Sequence, residues 1–586
     1  MVNDSPTARS PKQKRAPLPL EPAALGLNAR AGPVTLLQTH IGWVYLCGKY
    51  AFKIKKPVKF DFLDFTTVSA RRWACAREIV LNRRLCPKHY LGLVPIVEQP
   101  AGTLRLDLKR NIPQPTPVAP ASVPAGRDAD ATPNIVDWAV WMRRMPADRM
   151  LPVLLERGNI TAVDIRRIAN TLTRFYLKQR AQGAVPPGGP GDLDSLTFNV
   201  EENLREAEAL DPGIVAPGAL RLISVRARHF LKKNGWLVCK RATDGFVVDG
   251  HGDLRAENIC LPQKGPPLLF DCIEFNDRFR IVDCALDAAF LAMDLSAKGR
   301  DDLSAAFLHR YQQRCDPDLP PRLLDFYFGY RAFVKAKVAA WIAADTGVPS
   351  QQQQRARSES RDLFDLSVRC ALREQPVLIV FCGPAGSGKS TLARALARRL
   401  RCIHLATDIL RDELVPRGLS REERYAPGVS WRVYELLFQR AADALQRRQT
   451  VILDATFTSK SLRTRAAQLA SAGSAGLRAG NARSVLVWAK APAETMELHL
   501  KERLESQTFH GSEASAEVSR RQFKTFAKPS EKETRKAGGG GTHTSRGSLR
   551  DLCVRFGALR IVDTSQPAET SVEQTWNAVL DALAEQ

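Results

Sequence analysis

Residues 383–390 read Gly-Pro-Ala-Gly-Ser-Gly-Lys-Ser, between the apolar run Pro-Val-Leu-Ile-Val-Phe-Cys at 376–382 and the helix-like Thr-Leu-Ala-Arg-Ala-Leu-Ala-Arg-Arg-Leu at 391–400. A short apolar run followed by a helical pattern puts the glycines at a strand-to-helix turn. The spacing G-x-x-x-x-G-K-S in that setting is that of a phosphate-binding loop. Gly383, Gly386 and Gly388 let successive backbone N–H groups turn inward around a triphosphate. Ser387 and Thr391 belong to the same cradle, and the helix N-terminus adds its positive dipole end. Lys389 is expected at the β/γ-phosphates of ATP and Ser390 at Mg²⁺.

A second phosphate-chemistry pattern lies upstream, in His251-Gly-Asp253-Leu-Arg255-Ala-Glu-Asn258, with Asp271 following inside Leu-Leu-Phe-Asp-Cys-Ile-Glu-Phe at 268–275. Kinase-like phosphotransferases use this spacing: an Asp takes the proton of the attacking hydroxyl, an Asn five residues on holds one Mg²⁺, and an Asp after the next strand holds the other. Asp253, Asn258 and Asp271 are the candidates. The same design needs a strand lysine on the phosphates and a helix glutamate to hold it. Lys53 follows a hairpin turn at Gly48, and Glu78 lies in a helical pattern over 65–85. Lys55, Lys56 and Lys59 compete with Lys53 for that place.

The remaining composition narrows the class. At 586 residues the chain has room for about two to four domains. No stretch approaches the roughly eighteen apolar residues of a membrane span, and the N-terminus has no apolar signal region. Twelve cysteines occur singly, with no C-x-x-C pair. A reducing cytoplasm, no membrane partner and no metal beyond Mg²⁺ are expected. The formal net charge is +24. Such a balance suits nucleic acid, an acidic membrane surface or polyanions. The arginines are dispersed along nearly every helical segment, however, so a nucleic-acid partner is not favoured and solvated helix faces account for most of the charge.

Along the chain, 1–30 reads as a disordered tail, 31–350 as a kinase-like domain, 351–372 as a linker and 373–586 as a P-loop domain. Strands are expected at 41–46, 50–54, 93–97 and 135–142, with a loop insertion at 113–133. Helices at 161–182, 193–209, 220–233, 285–295 and 323–344 predict an all-helical large lobe. In the last domain, strands at 376–381, 450–453, 484–489 and 559–563 alternate with helices, which means a parallel sheet covered on both faces. Segments 471–476 and 536–542 read as flexible insertions. The fold class is thus a two-lobed α+β kinase-like domain followed by an α/β P-loop NTPase domain with a mainly parallel sheet. Asp454 ends an apolar strand, where an acid can hold Mg²⁺ or its waters. Asp408 and Arg411 lie three apart at a helix start, so both can face one pocket.

Through His251-Gly-Asp253-Leu, Asn258, Asp271 and the Lys53 hairpin, the first 350 residues resemble the aminoglycoside phosphotransferase family, a branch of the protein-kinase-like fold. Residues 376–586 resemble the small P-loop kinases related to zeta toxins and to the kinase domain of polynucleotide kinases. That likeness rests on 383–390, Thr407-Asp408-Ile-Leu-Arg411 and Val451-Ile-Leu-Asp454-Ala-Thr-Phe457. The whole is similar to a bacterial fusion of an aminoglycoside phosphotransferase-like domain with a P-loop ATP-binding domain. The resemblance implies Asp253 as base, Asn258 and Asp271 on Mg²⁺, Asp408 activating an acceptor hydroxyl and Arg411 holding that acceptor beside the nucleotide. Arg503, Arg520 and Arg521 become lid candidates that clamp phosphates. Arg255 stands where aminoglycoside enzymes commonly carry His. It is placed to neutralise the transferred phosphoryl group, which moves the acceptor away from aminoglycosides. The expected activity is transfer of phosphate from ATP to hydroxyls of small molecules at both sites. The alternatives are one domain regulating the other, or a C-terminal polynucleotide 5′-hydroxyl kinase.

Overall fold

Gly48, at φ 54°, turns the strand Gly42–Cys47 back into Tyr50–Lys55, and this hairpin seeds the first sheet. The computed structural model describes residues 25, 27, 33–60, 62–100, 103–116, 134–183, 188–415, 419–471, 482–505, 516–534 and 555–586. They fall into two compact units, one of 1–196 with 237–319 and one of 197–236 with 320–586.

In the first unit six antiparallel strands run in the order Thr35–Gln38, Gly42–Cys47, Tyr50–Lys55, Ile135–Arg143, Tyr90–Glu98, Leu104–Leu106. Successive side chains of a strand face opposite ways. Phe52 and Ile54 therefore join Trp43, Tyr45 and Val94 in one apolar layer. Lys53 and Lys55 project from the other face, where Val140 and Leu93 pack with Cys75 and Ile79 of the helix Val68–Asn82. Thr67 caps that helix by accepting from the Ala70 N–H at 3.1 Å. Leu25 departs from the expected tail: it is 1% exposed within the outer layer, and its carbonyl accepts from Leu106 N–H. The prolines, alanines and glycine around Leu25 leave the apolar residues of this stretch without a strand or helix period to reveal this.

The helical part of this unit contains Ala162–Arg180, Cys284–Ala297 and Asp301–Cys315. It is not all-helical as expected. Two short ribbons, Val247–Asp249 with Ile281–Asp283 and Ile259–Cys260 with Leu268–Leu269, frame the segment around Asp253. Strands of two or three residues are too short to carry a period.

The second unit is built on a five-stranded parallel sheet ordered Ile403–Ala406, Val451–Asp454, Val377–Cys382, Arg483–Lys490, Ala558–Asp563. The strand Ile403–Ala406 and the helix Pro427–Gln446 were not expected. Residues 351–372, expected as a linker, belong to the helix Ser350–Leu372. It packs on Pro321–Ala344, with Phe364 edge-on to Phe333 at 5.5 Å and Ser360 Oγ donating to the Ala336 carbonyl. Its Gln-rich first turn masks the buried Leu363, Leu366, Val368 and Leu372 that follow. Segments 472–481 and 535–554, which hold most of the two expected insertions, lie outside the described residues, as do 1–24 and 117–133. Among the described residues no helix is long and apolar enough to cross a membrane.

Candidate active sites

Two chain segments distant in sequence, one carrying Glu78 and one carrying Asp271 and Glu274, converge on the lysine strand of the first unit. Lys53 Nζ stands 3.0 Å from Glu78 Oε1 and 2.5 Å from Asp271 Oδ1. Lys55, two residues along the same face, donates to Glu78 Oε2 and Glu274 Oε1, each at 2.5 Å. Glu78 and Lys55 are both 0% exposed. Burial works against the charge on either lysine. Asp271, Glu78 and Glu274 overcome it at Lys53, as do Glu274 and Glu78 at Lys55, and both ammonium groups stay above the ordinary lysine range. The protein around Asp271 favours its neutral acid, but the Lys53 ammonium reverses this and lowers the carboxyl to about 2. Asp271 sits at φ 62°, a left-handed backbone seldom taken by a residue with a side chain.

The loop carrying Asp253 is held mainly through its backbone. Asp287 accepts from the N–H groups of His251 (2.7 Å) and Gly252 (2.9 Å) and from the Tyr176 hydroxyl (2.8 Å). Asp294, two turns further along the helix Cys284–Ala297, accepts from Ala256 N–H at 2.9 Å. Gly252 has φ 84°, and a Cβ there would meet the Phe279 carbonyl at 3.0 Å, so the turn needs glycine. Asn258 Nδ2 donates to the Asp253 carbonyl (2.8 Å) and to its Oδ2 (3.0 Å). Arg255 makes a two-pronged pair with the Asp253 carboxylate at 2.7 and 2.8 Å, and that carboxylate raises its pKa further. His251, fully buried with Nε2 at 2.9 Å from the Phe270 carbonyl, has its pKa lowered by burial.

In the second unit the loop leaves the C-terminal end of the central strand, where parallel sheets place their ligands. Gly383, Gly386 and Gly388 have φ 148°, 83° and 76°. A Cβ on Gly386 would come within 2.5 Å of the Met496 carbonyl, so this backbone admits no side chain. Lys389 begins the helix Lys389–Leu400. Sheet register sets Asp454 opposite both Phe381 and Ala406. Ser390 Oγ donates to Asp454 Oδ1 at 3.0 Å, and His404 Nε2 lies 3.3 Å from Oδ2. Burial favours the neutral Asp454, but His404 and Lys389 outweigh it and lower the carboxyl. Ser387 Oγ is buried with no hydrogen-bond partner among the described residues, and Thr391 is exposed on the first turn.

Asp408 and Arg411 both lie on the helix Thr407–Leu414, and both charges act on the Tyr434 hydroxyl. Arg411 is buried, donates to the Arg424 carbonyl at 2.8 Å and lies over the Tyr425 ring. Arg520 pairs with Glu497 at 2.6 and 3.0 Å, Arg521 is exposed, and the side chain of Arg503 lies outside the described residues. The helix Ala516–Thr525 meets the loop through Gln522, whose Oε1 accepts from Ala385 N–H at 2.9 Å, and Ser519, whose Oγ donates to the Ala385 carbonyl at 2.7 Å.

A lysine held by a helix glutamate over an Asp/Asn/Asp loop, joined to a P-loop on the central strand of a parallel sheet, defines an ATP-binding phosphotransferase of the kinase class. The family model for the AAA domain matches residues 378–529. The chain is 33% identical over 447 residues, 75% of its length, to 81% of the uncharacterized protein Rv2004c of Mycobacterium tuberculosis (strain ATCC 25618 / H37Rv), and it belongs to that protein's family. A choline/ethanolamine kinase family protein from Mesorhizobium loti aligns with 58% of this chain and 92% of its own at 12% identity, with a TM-score of 0.31. A gluconokinase from Sinorhizobium meliloti 1021 aligns with 36% of this chain and 92% of its own at 19% identity, with a TM-score of 0.21.

Proposed function

We propose that the chain carries two separate phosphotransfer sites, within 31–350 and 373–586, each using ATP and Mg²⁺ to phosphorylate a hydroxyl of a small molecule. One observation carries the reading: two constellations without a shared residue each join a lysine, an acid and a hydroxyl or amide oxygen donor. In the first, Lys53 is oriented by Glu78 to meet the α/β-phosphates, and Asp253 takes the acceptor proton while Arg255 balances charge on the moving phosphoryl group. In the second, the loop amides and Lys389 cradle the triphosphate, Asp408 receives the acceptor hydroxyl proton and Arg411 lines the acceptor side.

The donors suit Mg²⁺, a hard cation that takes oxygen ligands. Asn258 and Asp271 would hold it at the first site, Ser390 and Asp454 at the second. Asp271 and Asp454 are both kept anionic. Bound Mg²⁺ supplies neutralisation of phosphate charge. A reducing, ATP-supplied cytoplasm suits the described cysteines, all of which are free thiols.

The test is ADP formation by the full chain against a panel of hydroxylated metabolites. Asp253→Asn is expected to lower one activity by roughly a hundredfold, the usual range for losing a general base. Lys389→Ala is expected to remove a second activity with a different acceptor. A double variant that keeps either turnover, or one single variant that abolishes both, would refute two independent sites.

A further inference from the structure

The second unit contains a cavity of about 470 Å³, walled by the helices Leu193–Ala207, Pro217–Thr243, Pro321–Ala344 and Ser350–Leu372. None of the residues assigned above to phosphate chemistry lines it. Its size is that of a site for a ligand of drug-like dimensions.

One wall residue lacks what its chemistry requires. Arg226 is 6% exposed, donates no hydrogen bond to any described residue, and its Nε is buried without an acceptor. A guanidinium has five donors in a fixed fork, and a buried charge is ordinarily paired. The wall acids form their ion pairs with other cations, Asp325 with Arg373 at 2.6 Å and Glu374 with Lys233 at 3.4 Å, and Glu374 acts on Arg226 through its charge alone. With Arg322 and Arg448 also on the wall, five cations face two carboxylates. The apolar part is aromatic, with Phe230 and Phe326 stacked 4.1 Å apart at 8°. Burial and the nearby Arg483, only partly offset by the charge of Glu374, lower the Arg226 pKa to about 10, which leaves it charged at neutral pH.

We propose that this cavity binds a small organic anion with an aromatic body, its carboxylate or phosphate pairing with Arg226 and its ring lying against the Phe230/Phe326 stack. An anion of that shape satisfies the fork with charge-assisted hydrogen bonds and fills the apolar remainder.

Melting and calorimetric titration of the full chain test this with four probes: 1-naphthoate, 1-naphthyl phosphate, the neutral 1-naphthamide and inorganic phosphate. One aromatic anion is expected to bind one-to-one and raise the melting temperature. Its carboxylate or phosphate form identifies the head group. The amide and inorganic phosphate should bind at least tenfold more weakly. Binding should survive Lys389→Ala, which excludes the nucleotide loop as its seat. Arg226→Met should weaken it by roughly a hundredfold, the size expected for losing a charged hydrogen-bonded pair, while the unliganded variant melts no lower than the parent because an unpaired charge is gone. Arg226→Lys, which keeps the charge without the fork, should bind with intermediate affinity and serves if the Met variant fails to fold. Equal binding of anion and amide, undiminished binding by both variants, or no binding of any probe at millimolar concentration would overturn the proposal.

Discussion

Replacing Lys55 with methionine tests whether the buried ionic cluster holds the first unit together. Lys55 is completely buried between Glu78 and Glu274, 2.5 Å from each. With Lys53 and Asp271 the cluster contains two cations and three carboxylates. Lys55→Met keeps the volume but moves the formal sum from −1 to −2, and leaves Glu274 with no cation in contact. Removing one partner of a buried pair costs about 3–5 kcal/mol, and the loss of two contacts points to the upper half of that range. For a unit of this size, at about 2–4 °C per kcal/mol, the first transition should fall by roughly 8–20 °C. Scanning calorimetry of the full chain reads that transition, while nucleotide affinity at the P-loop should be unchanged because the two regions share no partners. Adding Glu274→Leu removes the orphaned carboxylate and leaves Lys53 with Glu78, so at least half of the lost stability should return. A loss below about 1 kcal/mol, the range of an exposed pair, would refute the reasoning. So would a double variant no more stable than the single one.

Three further outcomes are expected. Asp287→Asn offers one acceptor oxygen to three donors, so the Asp253 loop should slacken and the first activity should fall by about a hundredfold in kcat with a smaller change in KM. Gln522→Ala frees the Ala385 N–H, and nucleotide affinity at the P-loop, measured by titration, should rise about twofold to tenfold, the worth of one hydrogen bond. Asp365, 2.5 Å from Arg399, has its carboxyl pushed up to about 6 by burial, which outweighs the guanidinium. Because the folded pKa lies above the unfolded value of about 3.9, that group's contribution to stability is complete below pH 4 and is lost as pH rises to 6. Denaturant titrations of Asp365→Asn should show that segment of the pH profile flattened.

Contiguity governs how much of these sites could be read in advance. The P-loop is legible because its cradle is made by neighbours in the chain, and each glycine stands where the backbone demands a positive φ. The catalytic-loop spacing is legible for the same reason. Lys55 is harder: it shows as a rival to Lys53, although two residues apart on a strand means one shared face and one shared glutamate. Asp287 and Asp294 act on backbone groups more than thirty residues away. Their one local sign is two acids seven apart in an otherwise apolar helix, which puts them on one face. Gln522 and Ser519, which touch the loop from the helix Ala516–Thr525, are uncharged and stand more than a hundred residues from it, so no local pattern marks them.

The interleaving of the two units bears on how the molecule is made. The chain leaves the first unit at 196, gives 197–236 to the second, returns for 237–319 and departs again at 320. During synthesis, the early helical piece of the second unit emerges well before the parallel sheet it belongs with. It must wait, partly unburied, for more than eighty residues that fold elsewhere. Such delayed long-range closure is slow and leaves apolar surface open in the meantime. No single cleavage of the backbone separates the two units, and a fragment beginning at 373 lacks both that piece and the helix Ser350–Leu372. The two proposed sites can be told apart by point substitution in the intact chain, where each unit keeps all of its parts.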